Sequence, residues 1–467
     1  MLAMQRDRTP AFYLLISLPA TAMGFALSVQ ISVLSWMLAT RYGLKIDEIG
    51  LVWAAGPLAG IVGQVLVGGL SDRIWVWGGR RRVFIIGGGA MAALAMLLLP
   101  QIGAIAHGLG LPGVFGVAIT VALALDLAVN VGFNPTRALI ADVTHEGAER
   151  TRAYSWMQVV SGSFGVGAYA VGAIFGNDVL IYVAVALVMA FGVVPSLLIA
   201  EPRPEAPTAA SPATSRSLSL PTIAWTLSPI WALLVYDLYG LSARVLGLAE
   251  TGYAAEALCA AATLGLVVHA FIARPDGDSA FRRTVAASAL CWLGVQPIFV
   301  YMVSFLQQRM PMLDAAALGQ TTSIAFLALN AVAAVAPIGL GAVARRFGPI
   351  PVHVAAVALM AAGCFGVWLF AQSPWHLYVL MAVCGIGWGS IVSLPFAIMS
   401  ERVDATQMGL FMGLFNLSVV LPQLVTSLGI GRFVAVVDDK GLVFALSGGF
   451  LALSALLWFF TRGARVP

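Results

Sequence analysis

The feature that most constrains this chain is a series of twelve apolar segments, each long enough to cross a membrane as a helix. A transmembrane helix needs roughly 20 consecutive apolar residues. Segments one to six lie at about residues 11–40, 48–70, 83–106, 113–143, 151–175 and 179–200. Segments seven to twelve lie at about 284–305, 322–344, 349–371, 375–400, 404–432 and 441–462. Only 10% of the residues are charged and 60% are hydrophobic, which excludes an ordinary water-soluble domain. The sequence therefore predicts an all-α polytopic membrane protein.

The stretch between the two groups has a different composition. Residues 201–221 are rich in Pro, Ala and Ser and predict a solvated cytoplasmic linker. Two further apolar stretches, which we call the accessory segments, follow at about 222–241 and 252–273, and a polar loop occupies 274–283. An even number of extra spans leaves the orientation of the second group unchanged.

The first accessory segment also allows another interpretation. Pro229, Trp231, Tyr236 and Asp237 dilute its apolar character, so a helix on the membrane surface is the alternative to a spanning helix. We expect it to span. The predicted division of the chain is an N-terminal six-helix bundle over 1–200, the linker over 201–221, two additional membrane helices and a loop over 222–283, and a C-terminal six-helix bundle over 284–467.

Basic residues are distributed unevenly between the loops. With a cytoplasmic N-terminus, 18 of the 25 Lys and Arg residues fall in inner loops and tails. The exceptions are Arg41, Lys45, Arg137, Arg244, Arg309, Arg432 and Lys440. This asymmetry predicts that both termini are cytoplasmic. The first segment is too long for a removable signal peptide and lacks a small-residue cleavage site.

The loop after the second segment, GGLSDRIWVWGGRRRVFI, carries charged residues next to small ones. Small residues let two helices approach closely, and Asp72 can pair with arginines or accept hydrogen bonds at a helix end. We predict a gating cluster of Asp72, Arg73, Arg80, Arg81 and Arg82 with Asp142. The simpler interpretation is a basic inner loop that contains an aspartate. The pattern resembles the loop signature of the major facilitator superfamily, and a weaker echo, GAVARRFG, carries Arg345 at the aspartate position.

The fourth segment contains an ionisable residue in mid-membrane, Asp126. At 100° per residue, Asn130 lies about 40° around the helix from Asp126, Asn134 about 80° and Arg137 about 20°. Arg137 is about 16 Å away along the axis, so a straight helix cannot join it to Asp126 in a salt bridge. A carboxyl group there costs several kcal/mol to ionise and has no cation within reach on its own helix. Asp126 is therefore predicted to be a reversible proton carrier; the alternative is a neutral, hydrogen-bonded structural residue.

Uncharged polar residues recur in other segments. Their side chains can donate to and accept from sugar hydroxyls, while aromatic planes pack on the C–H faces of a sugar ring. Any one of these amides could instead join two helices. The predicted substrate-binding residues are Gln64, Asn130, Arg137, Trp292, Gln296, Asn330, Asn416 and Gln423.

Taken together, these motifs resemble the sucrose–proton symporters, which include the plant sucrose transporters and the animal solute-carrier-45 proteins. The resemblance rests on GPLAGIVGQVLVGGLSDR with Gln64, on LDLAVNVGFNPTRALIAD, on WLGVQPIFVY, on Asn330, and on SLPFAIMSER and GLFNLSVVLPQL. It implies the major facilitator superfamily fold, with two six-helix bundles around a central cavity, to which this sequence adds two extra transmembrane helices between the bundles. It also implies sugar–proton symport with Asp126 as the protonation site. The accessory segments and Arg345 depart from the plant pattern.

The resulting prediction is a proton-coupled importer of a disaccharide or glucoside such as sucrose or maltose, located in the plasma membrane, or the inner membrane of a bacterium. Its expected partners are the sugar, the proton and the lipid bilayer, with no nucleic acid, metal or other cofactor. The alternatives are a non-transporting scaffold of the same fold and a transporter that uses another ion or exports another solute. An enzyme is not expected, because the sequence has no metal-ligand spacing, nucleophile elbow or phosphate loop. No oligomeric state is predicted.

Overall fold

The structure, a computed structural model, describes residues 3–60, 74–145, 147–202, 220–247, 252–273, 279–400 and 408–461. These ranges are almost entirely helical, and the isolated β-bridge within them joins Val76 to Gly79. Eleven helices in the described ranges are long and apolar enough to cross a membrane. The predicted all-α membrane fold is therefore confirmed.

Contacts between residues divide the chain into two compact units. The first comprises Met1–Leu44, Ala55–Ser211 and Leu313–Leu327. The second comprises Lys45–Ala54, Pro212–Met312 and Ala328–Pro467. The domain boundaries expected from the sequence remain predictions.

The helices of the first unit follow segments one and three to six. Segment one is the helix Pro10–Thr40. Segment three is the helix Arg82–Leu98, which is continued by the 3-10 turn Leu99–Gln101 and the short helix Ile102–Gly108. Segments four, five and six are the helices Phe115–Val143, Ala148–Phe175 and Asn177–Leu198. A short helix, Ala3–Arg6, precedes them. Segment two begins in the helix Ile46–Trp53, which belongs to the second unit, and its residues 55–60 are helical in the first; its residues 61–70 lie outside the described residues.

A glycine contact holds the third and fourth segments close together. A Cβ atom on Gly88 would lie 2.8 Å from both the carbonyl oxygen of Ala128 and the amide nitrogen of Gly132. Only hydrogen fits at that distance, so the two backbones touch directly, as small residues allow in membrane helices. The helix that carries Asp126 is thereby fixed against its neighbour.

The first helix of the second unit along the chain is Ile46–Trp53. Segments seven to nine are the helices Ser279–Arg309, Ala315–Phe347, whose first turns belong to the first unit, and Pro349–Phe370. Segment ten consists of two helices, Pro374–Ile391 and Leu394–Ser400. Segment eleven consists of the helix Met408–Val425, the π-helical turn Thr426–Ile430 and the short helix Gly431–Val436. Segment twelve is the helix Leu442–Phe460.

The seventh helix begins earlier than the sequence suggested. We expected a polar loop through residue 283, but the helix starts at Ser279. Arg282 is only 1% exposed, and its guanidinium lies 4.5 Å from the ring centre of Trp225. Burial against an aromatic face, which attracts a guanidinium, lets this arginine occupy a helix instead of a solvated loop.

The two accessory segments differ from each other. The second forms the continuous helix Ala254–Ile272, which is long enough to span a membrane. The first is divided into Leu220–Thr226, a 3-10 turn Ser228–Ile230 and Trp231–Val245. Pro229 lies at the interruption, because proline has no amide hydrogen for the helical ladder. None of these pieces is as long as a spanning helix, so a membrane crossing by the first accessory segment remains a prediction.

Candidate functional site

Asp126 lies in the middle of the continuous helix Phe115–Val143 and is 4% exposed. Its Oδ2 accepts a 2.9 Å hydrogen bond from Nε2 of Gln30 in the first segment. No ion pair within the described part of the chain involves this carboxyl group. A buried acid whose close polar partner is a neutral amide can exist as a neutral group more readily than one beside an arginine. Gln30 was missed from the sequence, although its position in an apolar run is the same signal that identified Asp126.

Two predicted substrate residues share the helix of Asp126. Asn130 donates a 2.8 Å hydrogen bond from Nδ2 to the carbonyl oxygen of Asp126, one turn earlier. Arg137 is exposed, and its guanidinium lies 4.4 Å from the ring centre of Phe133. Among the described residues no salt bridge includes Arg137, in agreement with the separation along the helix. Both side chains remain candidates for contact with a polar ligand.

A cluster of charged residues surrounds Asp142 at the C-terminal end of the helix Phe115–Val143. Arg80 binds Asp142 through two hydrogen bonds of 2.5 and 3.1 Å, and Arg81 Nε binds the same carboxylate at 3.0 Å. Glu201, directly after the sixth segment, accepts hydrogen bonds from the backbone amides of Arg80, Arg81 and Arg82 at 2.7–2.9 Å. A carboxylate at a helix N-terminus is stabilised by the free amides and the helix dipole.

These contacts join the ends of the third, fourth and sixth segments within the first unit. Glu201 was not predicted; the signal that could have found it is the first carboxylate after an apolar segment, at the membrane side that carries the arginines. Gln64, Asp72 and Arg73 lie outside the described residues. The gating role of the cluster remains a prediction.

An aromatic and amide cluster lies in the second unit. Trp388 of the tenth segment contacts Trp292 and Phe299 edge to face, with ring centres 5.8 and 5.3 Å apart. Its indole nitrogen donates a 3.3 Å hydrogen bond to Oδ1 of Asn330. Two of the predicted residues, Trp292 and Asn330, therefore meet through Trp388, which the sequence analysis missed. Its signal was a tryptophan between glycines in GIGWGS.

The other predicted amides of the second unit make fewer contacts. Gln296 is 5% exposed on the same helix as Trp292, and Asn416 and Gln423 are half-buried on Met408–Val425. In the part of the chain that the structure describes, the amides of these three residues make no hydrogen bond. Their donors and acceptors remain available to a ligand.

A separate cavity of about 1080 Å³ lies in the second unit, beside the second accessory helix. Its walls are almost entirely apolar, with Leu264, Val268, Phe433 and Leu453 among them, and include none of the predicted substrate residues. Such a lining gives sugar hydroxyls few partners. No group of three or more His, Cys, Asp or Glu side chains within the described ranges could hold a metal ion.

Known proteins of similar sequence are sugar transporters by name. Sucrose transport protein SUC4 of Arabidopsis thaliana is 30% identical over 139 residues, and sucrose transport protein SUT2 of Oryza sativa subsp. indica is 37% identical over 144. The general alpha-glucoside permease of Schizosaccharomyces pombe is 29% identical over 158 residues. The alignments cover 28–30% of this chain and only 27–28% of the relatives' own lengths. The predicted resemblance to sucrose transporters is confirmed over that part.

Solved structures share the fold along nearly the whole chain. The nucleoside transporter NupG has a TM-score of 0.63 at 12% identity, covering 97% of this chain and 100% of that chain. The POT family transporter PepTSo has a TM-score of 0.67 at 13% identity, covering 97% and 98%. The xylose transporter XylE from E. coli has a TM-score of 0.60 at 16% identity, covering 96% and 95%. At these identities the likeness shows the fold alone.

The profile of the Major Facilitator Superfamily matches residues 16–427. With eleven helices of spanning length among its described residues, this is an integral membrane protein. The family and the relatives are transporters, which confirms the prediction that the chain is not an enzyme. The chain belongs to the Major Facilitator Superfamily.

Proposed function

We propose that this protein is a proton-coupled symporter that imports a disaccharide or glucoside, of the sucrose or maltose type, by alternating access. The observation that carries the proposal is the buried carboxyl group of Asp126, whose partner among the described residues is an amide and not a cation. The names of the relatives, sucrose transport proteins and an alpha-glucoside permease, support the substrate class.

Proton coupling follows from the cost of charge in an apolar environment. A carboxyl group in the membrane interior is cheaper to keep neutral, and it ionises when water from one side reaches it. Asp126 would bind a proton when open to the acidic outer side and lose it when open to the cytoplasm. Each cycle would then couple the downhill movement of a proton to the uphill movement of the sugar.

The second unit offers side chains suited to an uncharged sugar. The faces and edges of Trp292, Phe299 and Trp388 can pack on the C–H faces of a sugar ring. The amides of Gln296 and Asn416 have both donors and acceptors for its hydroxyls. In the first unit, the five N–H groups of the exposed Arg137 can donate to sugar oxygens, as can Asn130.

The direct test is uptake of labelled sucrose and maltose into liposomes that contain the purified protein. We expect accumulation above the external concentration only with an inward proton gradient, and its loss when a protonophore collapses that gradient. Accumulation driven by an inward sodium gradient at equal pH would show that sodium, and not the proton, is the coupling ion. Failure to bind or exchange either sugar under every gradient would contradict the substrate class.

The proposed orientation of the protein in the membrane can be tested separately. We propose residence in the plasma membrane, or the inner membrane of a bacterium, with both termini cytoplasmic, because 18 of the 25 basic residues would then be on the inner side. A single cysteine introduced near either terminus of a variant lacking the four native cysteines should react with an impermeant reagent only after the cells are opened. Labelling in intact cells would contradict the orientation.

A further inference from the structure

We infer that Gln30 and Gly56 give the two oxygens of Asp126 different tasks: Gln30 holds Oδ2, and Oδ1, which faces the backbone of Gly56, is the oxygen that binds and releases the proton. Gln30 is then a positioning residue, and Gly56 keeps the proton-binding atom uncovered. This inference rests on the proposed function, because it specifies how its proton site operates.

Gln30 determines the state of Oδ2. It lies within the helix Pro10–Thr40, is 3% exposed, and donates from Nε2 to Oδ2 at 2.9 Å. An amide nitrogen has donors and no acceptor, so it can bind this oxygen only while the oxygen carries no proton along that direction. A proton on Oδ2 would point at the N–H group or require the amide to turn. The hydrogen bond therefore leaves Oδ1 as the favoured proton acceptor.

Gly56 determines the space beside Oδ1. A Cβ atom built on this glycine would lie 3.2 Å from Oδ1, 3.4 Å from the carboxyl carbon and 3.4 Å from Oδ2 of Asp126. The contact with Oδ1 is tighter than an ordinary methyl–oxygen contact, so any side chain here would press on that oxygen. With only hydrogen at this position, Gly56 places no side chain over Oδ1.

No cation on the described parts of the neighbouring elements takes over the role of Gln30. Among the described residues, the helices packed against Phe115–Val143 are those of segments one, three and five, with the 3-10 turn and short helix that continue segment three, and residues 55–60 of segment two, which carry no charge, approach it at Gly56. Their titratable and charged groups, with those of the helix itself, are Tyr13, Arg82, His107, Glu149, Arg150, Arg152, Tyr154, Tyr169, Arg137 and Asp142. The charged ones and His107 lie near helix ends, away from the middle where Asp126 sits. The charge of Asp126 therefore depends on Gln30 and on the water that reaches it.

The proton step is balanced at this site. On loading, a hydronium ion from the acidic side gives its proton to Oδ1, an O–H bond forms, and water remains. On release, the Oδ1–H bond breaks and cytoplasmic water takes the proton. Oδ2 keeps the hydrogen bond from Gln30 in both states, so the carboxyl group does not need to rotate.

The test measures protonation directly, without transport. Infrared spectroscopy of the purified protein in nanodiscs records the C=O band of the protonated carboxyl group, assigned by its absence in Asp126→Asn. Gln30→Met keeps the side-chain length and removes the donor, so the titration midpoint should rise by roughly 1 pH unit, because the lost hydrogen bond is stronger to the ionised carboxylate than to the neutral acid. Ser32→Ala, another buried change on the same helix, should leave the midpoint at the wild-type value.

A second readout addresses Oδ1. After transfer into D₂O, the carboxyl band should exchange more slowly in Gly56→Ala than in wild type, because the added methyl group covers the exchanging oxygen. Gly24→Ala is the matched control, since nothing lies within 4 Å of a Cβ atom there. If Gln30→Met does not fold, Gln30→Leu serves for the same titration.

Two results would overturn the inference. A midpoint in Gln30→Met that is unchanged or lower would mean that Gln30 does not donate to the ionised form. Exchange in Gly56→Ala as fast as in Gly24→Ala would mean that Oδ1 is not the exchanging oxygen. Because neither measurement needs sugar, a protein that fails to transport sucrose or maltose would contradict the proposed function and leave this inference to be decided by the spectra.

Discussion

Two aspartates on the same helix, Asp126 and Asp142, have opposite surroundings. Asp126 is 4% exposed and accepts one hydrogen bond from a neutral amide. Asp142 is bound by two guanidinium groups, those of Arg80 and Arg81, through three hydrogen bonds. The two residues are 16 positions apart, about 24 Å along a straight helix.

The difference indicates which carboxylate can change its charge during a cycle. Asp142 is held by charge-assisted hydrogen bonds from two arginines, which join the ends of neighbouring segments. No comparable ion pair among the described residues involves Asp126. One helix thus carries a group suited to proton exchange and a group suited to holding segment ends together.

The largest expected effect follows from removing the exchangeable proton. Asp126→Asn keeps the size of the protonated residue but cannot release a proton, so sugar accumulation against a gradient should be abolished at every external pH. Exchange of labelled for unlabelled sugar should persist and lose its dependence on pH. The matched control is Asp178→Asn, which alters an exposed aspartate of the same unit. Accumulation at the wild-type level in Asp126→Asn would break the contrast between the two aspartates.

The next largest effect is expected on stability, at the other aspartate of the helix, Asp142. Asp142→Asn removes the charge that Arg80 and Arg81 share, and should lower the free energy of unfolding by about 1.5–3 kcal/mol, the usual value for a hydrogen bond to a charged group. The thermal unfolding midpoint of the purified protein checks this. The pH dependence of uptake should stay as in wild type, and a shifted profile would show that Asp142 also takes part in coupling.

In the second unit, a change of similar free energy is expected in sugar binding instead of stability. Gln296→Ala and Asn416→Ala should each weaken sugar binding roughly 5–150-fold, corresponding to about 1–3 kcal/mol for a buried polar group that loses its partner. Because their amides make no hydrogen bond with other described residues, the thermal midpoint without sugar should change little. Binding at wild-type affinity in both variants would assign these amides to packing.

The smallest effect concerns a third aspartate. Arg41 and Asp178 form a surface ion pair at 2.8 Å, with the aspartate side chain 54% exposed. Solvent screens such a pair, so Asp178→Asn should change stability by only ~0–1 kcal/mol. A loss as large as that of Asp142→Asn would contradict the view that burial and the number of partners separate these aspartates.

The sequence allowed the membrane segments, the Asp126 position and its neighbours on the same helix to be predicted, because hydropathy and the 3.6-residue period are local properties. The partners from other segments could not be predicted in this way. Gln30 lies 96 positions before Asp126, and Trp388 lies 58 positions after Asn330. Such pairs depend on how helices pack, and glycine contacts such as the one at Gly88 are not apparent from periodicity.

The first accessory segment shows a different limit. Pro229 was visible in the sequence as a residue that weakens a spanning helix, and it lies at the 3-10 turn that divides the segment. The buried Arg282 was harder to place. An arginine next to a polar loop predicts solvent exposure, but the ring of Trp225, far away in the sequence, provides a buried partner.

The central claim is that Asp126 takes up the proton that accompanies the sugar. The most direct measurement is the pH change of a weakly buffered solution of purified protein when sucrose or maltose is added, at a pH where the free site is largely ionised. Wild type and Asp142→Asn should take up protons and raise the pH, whereas Asp126→Asn should bind sugar with no proton uptake. Proton uptake by Asp126→Asn equal to that of wild type would contradict the account.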